Sequence, residues 1–158
     1  MGHMRATYKY LAYAIPVLVA LQAAWIAFAA FGLFAWVEDG HQLTKAAMDS
    51  ESASFTGSVG FMLHGMMALL VVLVALALLV VSFGAKVRGG AMWAGFVLAD
   101  VVFQYLLGML SHGVPALGLL HGPNAILLAY LGWKAAHRVA TAGELATEPA
   151  VAPTVQTT

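Results

Sequence analysis

"LHGPNAIL", Leu120 to Leu127, sets a histidine, a glycine, a proline and an asparagine inside a stretch that otherwise reads as apolar helix. Polar and helix-weakening residues are costly in that setting, so the segment needs a reason. "LHGMMALL", Leu63 to Leu70, supplies one, because the two segments agree at Leu, His, Gly, Ala and Leu. Each also follows an apolar run that carries a glutamine: "LQAAW" begins at Leu21 and "FQYLL" at Phe103. The chain therefore reads as one hairpin written twice, a Gln-bearing helix followed by a helix with Leu-His-Gly near its start. Both copies run in the same direction, which predicts a pseudo-twofold axis along the membrane normal, the parallel-repeat arrangement.

Composition fixes the surroundings. Of 158 residues, 62% are hydrophobic and 9% charged, with a mean hydropathy of +0.88. Soluble domains are about half apolar and about a quarter charged, so the reading is an all-α membrane protein. Apolar runs of about 20 residues cross a bilayer core. Four are expected within a domain over 4–140, at roughly 10–36, 59–83, 91–110 and 115–136, giving a four-helix transmembrane bundle. The first run is too long for a signal-peptide core and supplies the first repeat. Met1-Gly2-His3 reads as a remnant of cloning before a natural start at Met4, so His3 is set aside. Arg5, Lys9, Lys86, Arg88, Lys134 and Arg138 fall on one side of four crossings and only Lys45 on the other. Both termini are then cytoplasmic and the acidic loop Glu38–Ser58 is external. The tail over 141–158, rich in Ala, Thr and Pro, is expected to be a disordered cytoplasmic segment.

Several functions are excluded. The formal net charge is zero and no basic patch appears, so nucleic acid is not a partner. The absence of cysteine removes disulfides, iron–sulfur clusters, thiolate metal sites and covalent c-type haem attachment. No nucleophile–base pair, phosphate loop or carboxylate pair is present, which argues against an independent enzyme.

Two histidines carry the remaining chemistry. His64 and His121 each lie five or six residues inside the external boundary of their spans, about 8–9 Å deep. A twofold axis sets them on opposite walls of the bundle, facing one another. That arrangement predicts one b-type haem with His64 and His121 as axial ligands. Gly65 and Gly122 would let the ring approach the backbone. Phe61, Met66, Met67, Phe103 and Leu106 would wall it, and His112, His41 or Lys45 would meet its propionates. Gln104 would fix the tautomer of a ligand imidazole. Asn124 would contact the cofactor or, more simply, satisfy the backbone freed by Pro123. Asp100, the one carboxylate within a span, reads as a neutral hydrogen-bonded acid, and His137 as a surface residue.

These residues resemble those of a small family of four-helix bacterial membrane proteins of unknown function. Its pattern is a Gln in helix 1, a His early in helix 2, a Gln in helix 3 and a His-x-x-Asn-Ala in helix 4. Here those positions are Gln22, His64, Gln104 and His121 with Asn124-Ala125, a resemblance that runs from Leu21 to about Arg138. It implies a bacterial cytoplasmic membrane and no activity. The plan is also similar to that of membrane b-type cytochromes, which implies electron transfer or haem handling, with a redox partner or quinol left unspecified. The alternatives are a small transporter or metal-permeation protein, in which Gln22 and Asp100 extend a polar path, and a structural protein whose histidines tie helices together.

Overall fold

The computed structural model describes residues 2–50 and 53–147, with side chains as far as residue 139. The regular elements are helices: α1 (Gly2–Glu38), the short α2 (Lys45–Asp49), α3 (Val59–Ala85), α4 (Gly90–Ser111), a 3-10 turn at Pro115–Leu117, and α5 (Gly118–Thr147). The four long helices close into a ring in which α1 packs on α3 and α5, and α4 packs on the same two. α3 and α5 therefore lie diagonally across the bundle, as do α1 and α4.

Helices α1, α3 and α4 are long and apolar enough to cross a membrane, consistent with a multi-pass membrane protein. α5 is not among them. His121, Pro123 and Asn124 interrupt its first turns, and Lys134, His137 and Arg138 crowd its last ones, leaving a shorter apolar run than the other three. α1 has 37 residues and is about 55 Å long, well beyond a hydrocarbon core of about 30 Å. It starts eight residues earlier than the expected Tyr10 boundary, so Gly2 and His3 are helical, and the His3 carbonyl accepts from Thr7 Oγ1 at 2.9 Å. Pro115 opens the 3-10 turn rather than the helix, because α5 begins at Gly118. α5 also continues to Thr147, past the Thr141 at which disorder was expected. The rest of that tail lies outside the described residues.

The bundle is packed at one end and hollow at the other. Tyr8, Ala12, Ile15 and Leu18 on α1, Val71, Ala75 and Leu78 on α3, Ala94, Val97 and Val101 on α4, and Leu128, Ala135 and Ala136 on α5 form the core. On α1, α3 and α4 a spacing of three or four residues places each set on a single helix face, and on α5 Ala135 lies two turns beyond Leu128 on the same face. They reach the middle of the bundle, where Val71, Val101 and Leu128 border the hollow half, and fill the Lys/Arg end. There Arg5 donates to the carbonyls of Ala85 (3.4 Å) and Lys86 (3.3 Å), closing the C-terminus of α3. Tyr8 donates its hydroxyl to the Gly90 carbonyl at 3.0 Å. In the other half, Ala29 and Leu107 alone join the buried hydrophobic side chains among the described residues. Large apolar residues face outward all round, with Phe31, Val80, Phe83 and Ile126 largely exposed, the pattern of a chain surrounded by lipid rather than water.

At the hollow end α1 and the start of α3 meet backbone to backbone. A Cβ on Gly60 would sit 2.4 Å from the Trp25 carbonyl oxygen, and one on Gly57, whose φ is +97°, would sit 2.5 Å from that of Phe28. Small residues allow such approaches between membrane helices. The intervening loop folds back, with His41 stacked on Trp36 at 4.8 Å between ring centroids. Thr44 caps α2, its Oγ1 accepting from the Ala47 amide at 3.1 Å.

Candidate functional site

The hollow half contains a cavity of about 610 Å³ whose lining comes from all four long helices. His64 enters it from α3 and His121 from α5, across the diagonal. Their ring centroids are 6.3 Å apart and their planes 61° from parallel. Gln22 lines it from α1 and Gln104 from α4, so the repeated glutamines and histidines of the sequence converge on one space.

Hydrogen bonds to its neighbours select one tautomer of each neutral imidazole. The Nδ1–H of His64 donates to the backbone carbonyl of Gln22 at 3.1 Å. A carbonyl only accepts, so the proton sits on Nδ1 and the lone pair on Nε2. Gln104 donates from Nε2 to the His121 carbonyl at 3.0 Å, which orients the amide. The same nitrogen lies 3.3 Å from His121 Nε2. An amide nitrogen only donates, so His121 Nε2 also carries a lone pair and its proton lies on Nδ1. Both Nε2 atoms are then electron-pair donors. His121 Nδ1 and Gln22 Oε1 are buried without a hydrogen-bond partner, which is costly in an apolar cavity.

The remaining expected residues divide between the cavity and its surroundings. Gly65 and Gly122 line the cavity, and a Cβ on either would meet nothing within 4 Å, so the space beside both histidines is open. Asn124 does not line it. Its Nδ2 donates to Gln104 Oε1 at 2.8 Å, so it serves Gln104 instead of the backbone freed by Pro123. Met67 packs against the core, while Phe103 and Met66 are about half-exposed on the bundle exterior. Phe61 joins an aromatic group with Phe55 at 6.3 Å. None of these four lines the cavity. The helical period explains this: Phe103 is one residue, about 100° of rotation, before Gln104. The walls are instead Val19, Ala23, Ile26, Ala68, Val72 and Ala125, together with Tyr105 and Ile126.

Of the residues expected near the mouth, His112 lines the cavity and donates to the Gly108 carbonyl at 3.2 Å. His41 is engaged with Trp36, and Lys45 is paired with Asp49 at 2.6 Å. His137 lies at the opposite end, against Trp133 at 4.0 Å.

One determinant escaped the sequence reading. A Cβ on Gly108 would lie 3.1 Å from His121 Cε1, so only glycine there leaves the imidazole its position. The signal was available. The residues four after Gln22, His64, Gln104 and His121 are Ile26, Ala68, Gly108 and Ala125, all of which line the cavity, and three of the four are small. A small residue one turn beyond His64, Gln104 and His121 keeps the space beside each of them free.

Compared with protein-family models, curated proteins and solved structures, the chain matches none.

Proposed function

We propose that the chain is a four-helix membrane protein in which His64 and His121 hold one b-type haem, and that it acts in electron transfer or haem handling. The observation that carries this reading is the pair of imidazoles on diagonal helices, with ring centroids 6.3 Å apart, in one apolar cavity.

The donor set fits a haem. A metal–imidazole bond is about 2 Å. Ring bonds of about 1.33 Å put each ring atom about 1.1 Å from its centre. One ion held between two imidazoles thus separates their centroids by about 6 Å, and the centroids here are 6.3 Å apart. A bare metal ion fits less well. Among the described residues no three His, Cys, Asp or Glu side chains gather, and two imidazoles leave zinc short of its usual ligand number. A macrocycle that brings its own equatorial nitrogens needs only the two. The volume lies within the usual range for cofactor pockets, about 300–1,000 Å³.

When bound, haem supplies one-electron chemistry at its iron. The protein's own residues hold and orient. His64 and His121 would hold the iron between them, and with both imidazoles so used the chemistry it would supply there is electron transfer rather than oxygen binding. The Gln22 carbonyl would keep the lone pair of His64 on Nε2, the Gln104 amide would give up its contact with His121 Nε2 while keeping its bond to the His121 carbonyl, and apolar side chains would wall the site. The alternating order of α1, α3, α4 and α5 around the ring is the order that a twofold axis relating hairpins α1–α3 and α4–α5 would produce. With the Lys and Arg placement, it supports a bacterial cytoplasmic-membrane protein with cytoplasmic termini and its site near the external face. Addition of hemin to the purified protein, followed by absorption spectroscopy, tests this reading. His64→Ala and His121→Ala should each abolish the low-spin spectrum.

A further inference from the structure

The seams around the hollow half differ. Within each hairpin the helices are clasped: α1 meets the start of α3 backbone to backbone at Gly57 and Gly60, and Gln104 ties α4 to α5 through the His121 carbonyl. Between the hairpins, the α1–α5 seam is closed in the packed half and open above it. A Cβ on Gly132 would lie 2.7 Å from Ile15 Cβ, whereas one on Gly122 would meet nothing within 4 Å. The two glycines lie within about 80° of one another around α5, so both face α1. Ala20, five residues on from Ile15, and Ile126, six residues back from Gly132, stand at similar heights on the two helices. Both line the cavity, yet Ala20 is exposed and Ile126 is 74% exposed. The cavity therefore reaches the outer surface of the bundle between them. Ile126 sits about 12 Å into α5, and Leu119, Leu127 and Tyr130 around it are exposed and mainly apolar. In a membrane-spanning bundle such an opening faces lipid, not water.

We propose that the cavity is loaded and released through this opening, so that haem is a cargo exchanged with the bilayer and haem handling is the role. The identity of the cargo rests on the haem reading above; the route does not. A resident ligand is walled in, with about 70–90% of its surface covered, whereas a slot open at its side leaves an edge of the ligand in the membrane. Ala20 and Gly122 carry little or no side chain, so the gap opens wherever Ile126 turns aside. The other seam between hairpins, α3–α4, is narrower. Tyr105 and Met109 line the cavity there, each turned about 100° from Gln104 and Gly108, which face α5. Loading would also displace the Gln104 amide from His121 Nε2, a contact of 3.3 Å. The bond given up offsets part of what ligation gains and eases release.

The route can be followed without haem, because the chain has no cysteine and one placed in the cavity reacts alone. Ala125→Cys, in lipid nanodiscs at about pH 8.5, where an ordinary thiol is half ionised, should react with an alkyl maleimide that dissolves in the membrane. A sulphonated maleimide, confined to water on both faces, should react far more slowly. Adding Ala20→Trp should slow the alkyl reaction by about tenfold or more, a barrier of about 1.4 kcal/mol. Without the cysteine, Ala20→Trp should slow hemin transfer from liposomes by a similar factor and leave the final low-spin spectrum unchanged. Should Ala20→Trp fail to fold, Ile126→Trp narrows the gap from the other side at a position already largely exposed. Labelling as fast by the sulphonated reagent, or labelling unmoved by either tryptophan, overturns the lateral route. Labelling that slows while hemin transfer does not overturns haem as the exchanged cargo. If labelling slows as described while the unaltered protein takes up no hemin, the haem reading fails and the lateral route stands.

Discussion

Gly108→Ala should raise the stability of the bundle while weakening its site. The added Cβ would lie 3.1 Å from His121 Cε1 and 3.5 Å from Nδ1, against an ordinary carbon–carbon contact of about 3.5–4.0 Å. The imidazole must therefore withdraw by about 0.4 Å or more. Gln104 Nε2 already stands at 3.3 Å from its Nε2, so such a shift takes the contact beyond hydrogen-bond range. Withdrawal of the nitrogen proposed to hold the haem would cost about 1 kcal/mol or more, the scale of one lost polar contact. At about 1.4 kcal/mol per tenfold, hemin affinity should fall by about five- to tenfold. Alanine in place of glycine within a helix meanwhile favours folding by up to about 1 kcal/mol. The assay is a pair of measurements on one detergent-purified variant, a hemin titration followed at the Soret band and a thermal unfolding curve. A variant that binds hemin as tightly as the unaltered protein would refute the placement of His121 against α4. Equal losses in both measurements would show general disruption rather than a local collision.

Other substitutions separate the packed half from the hollow one. Tyr8→Phe removes the hydroxyl bonded to the Gly90 carbonyl; it should cost about 1 kcal/mol, seen as a fall of about 2–4 °C in Tm, with hemin uptake unchanged. Leu78→Ala empties a fully buried position and should destabilise by about 2–5 kcal/mol in chemical unfolding. Gly60→Val drives a side chain into the Trp25 carbonyl and should prevent accumulation of monodisperse protein in size-exclusion chromatography. His112→Ala and His137→Ala should leave the low-spin spectrum intact.

The helices were legible because apolar runs and their breaks are written locally. Leu63–Leu70 and Leu120–Leu127 each fell inside a helix, and His64 and His121 reached one cavity. The Gln104–His121 and Asn124–Gln104 contacts depend on α4 and α5 lying side by side, which spacing alone does not state. The misplaced walls have a simpler cause. Met67 and Phe103 were chosen for their nearness in sequence to a polar residue, whereas the helical period assigns the cavity to Ala68 and Tyr105. Gly57 and Gly60 were passed over because a small residue in an apolar run signals close approach only once its neighbouring helix is known. Lys45–Asp49 was read as loop; its helix is a single capped turn with one exposed ion pair, too short for periodicity to reveal. The extent of α5 shows the converse error, since Ala, Thr and Glu after Val139 suit a helix as well as a coil.

The most direct measurement is the oxidised and dithionite-reduced absorption spectrum of protein purified in mild detergent from haem-replete cells, read beside His64→Ala and His121→Ala. A Soret band with a sharp α-band on reduction, lost in each variant, is the predicted result. A colourless protein that also takes up no added hemin, or a low-spin spectrum that survives either substitution, would contradict it.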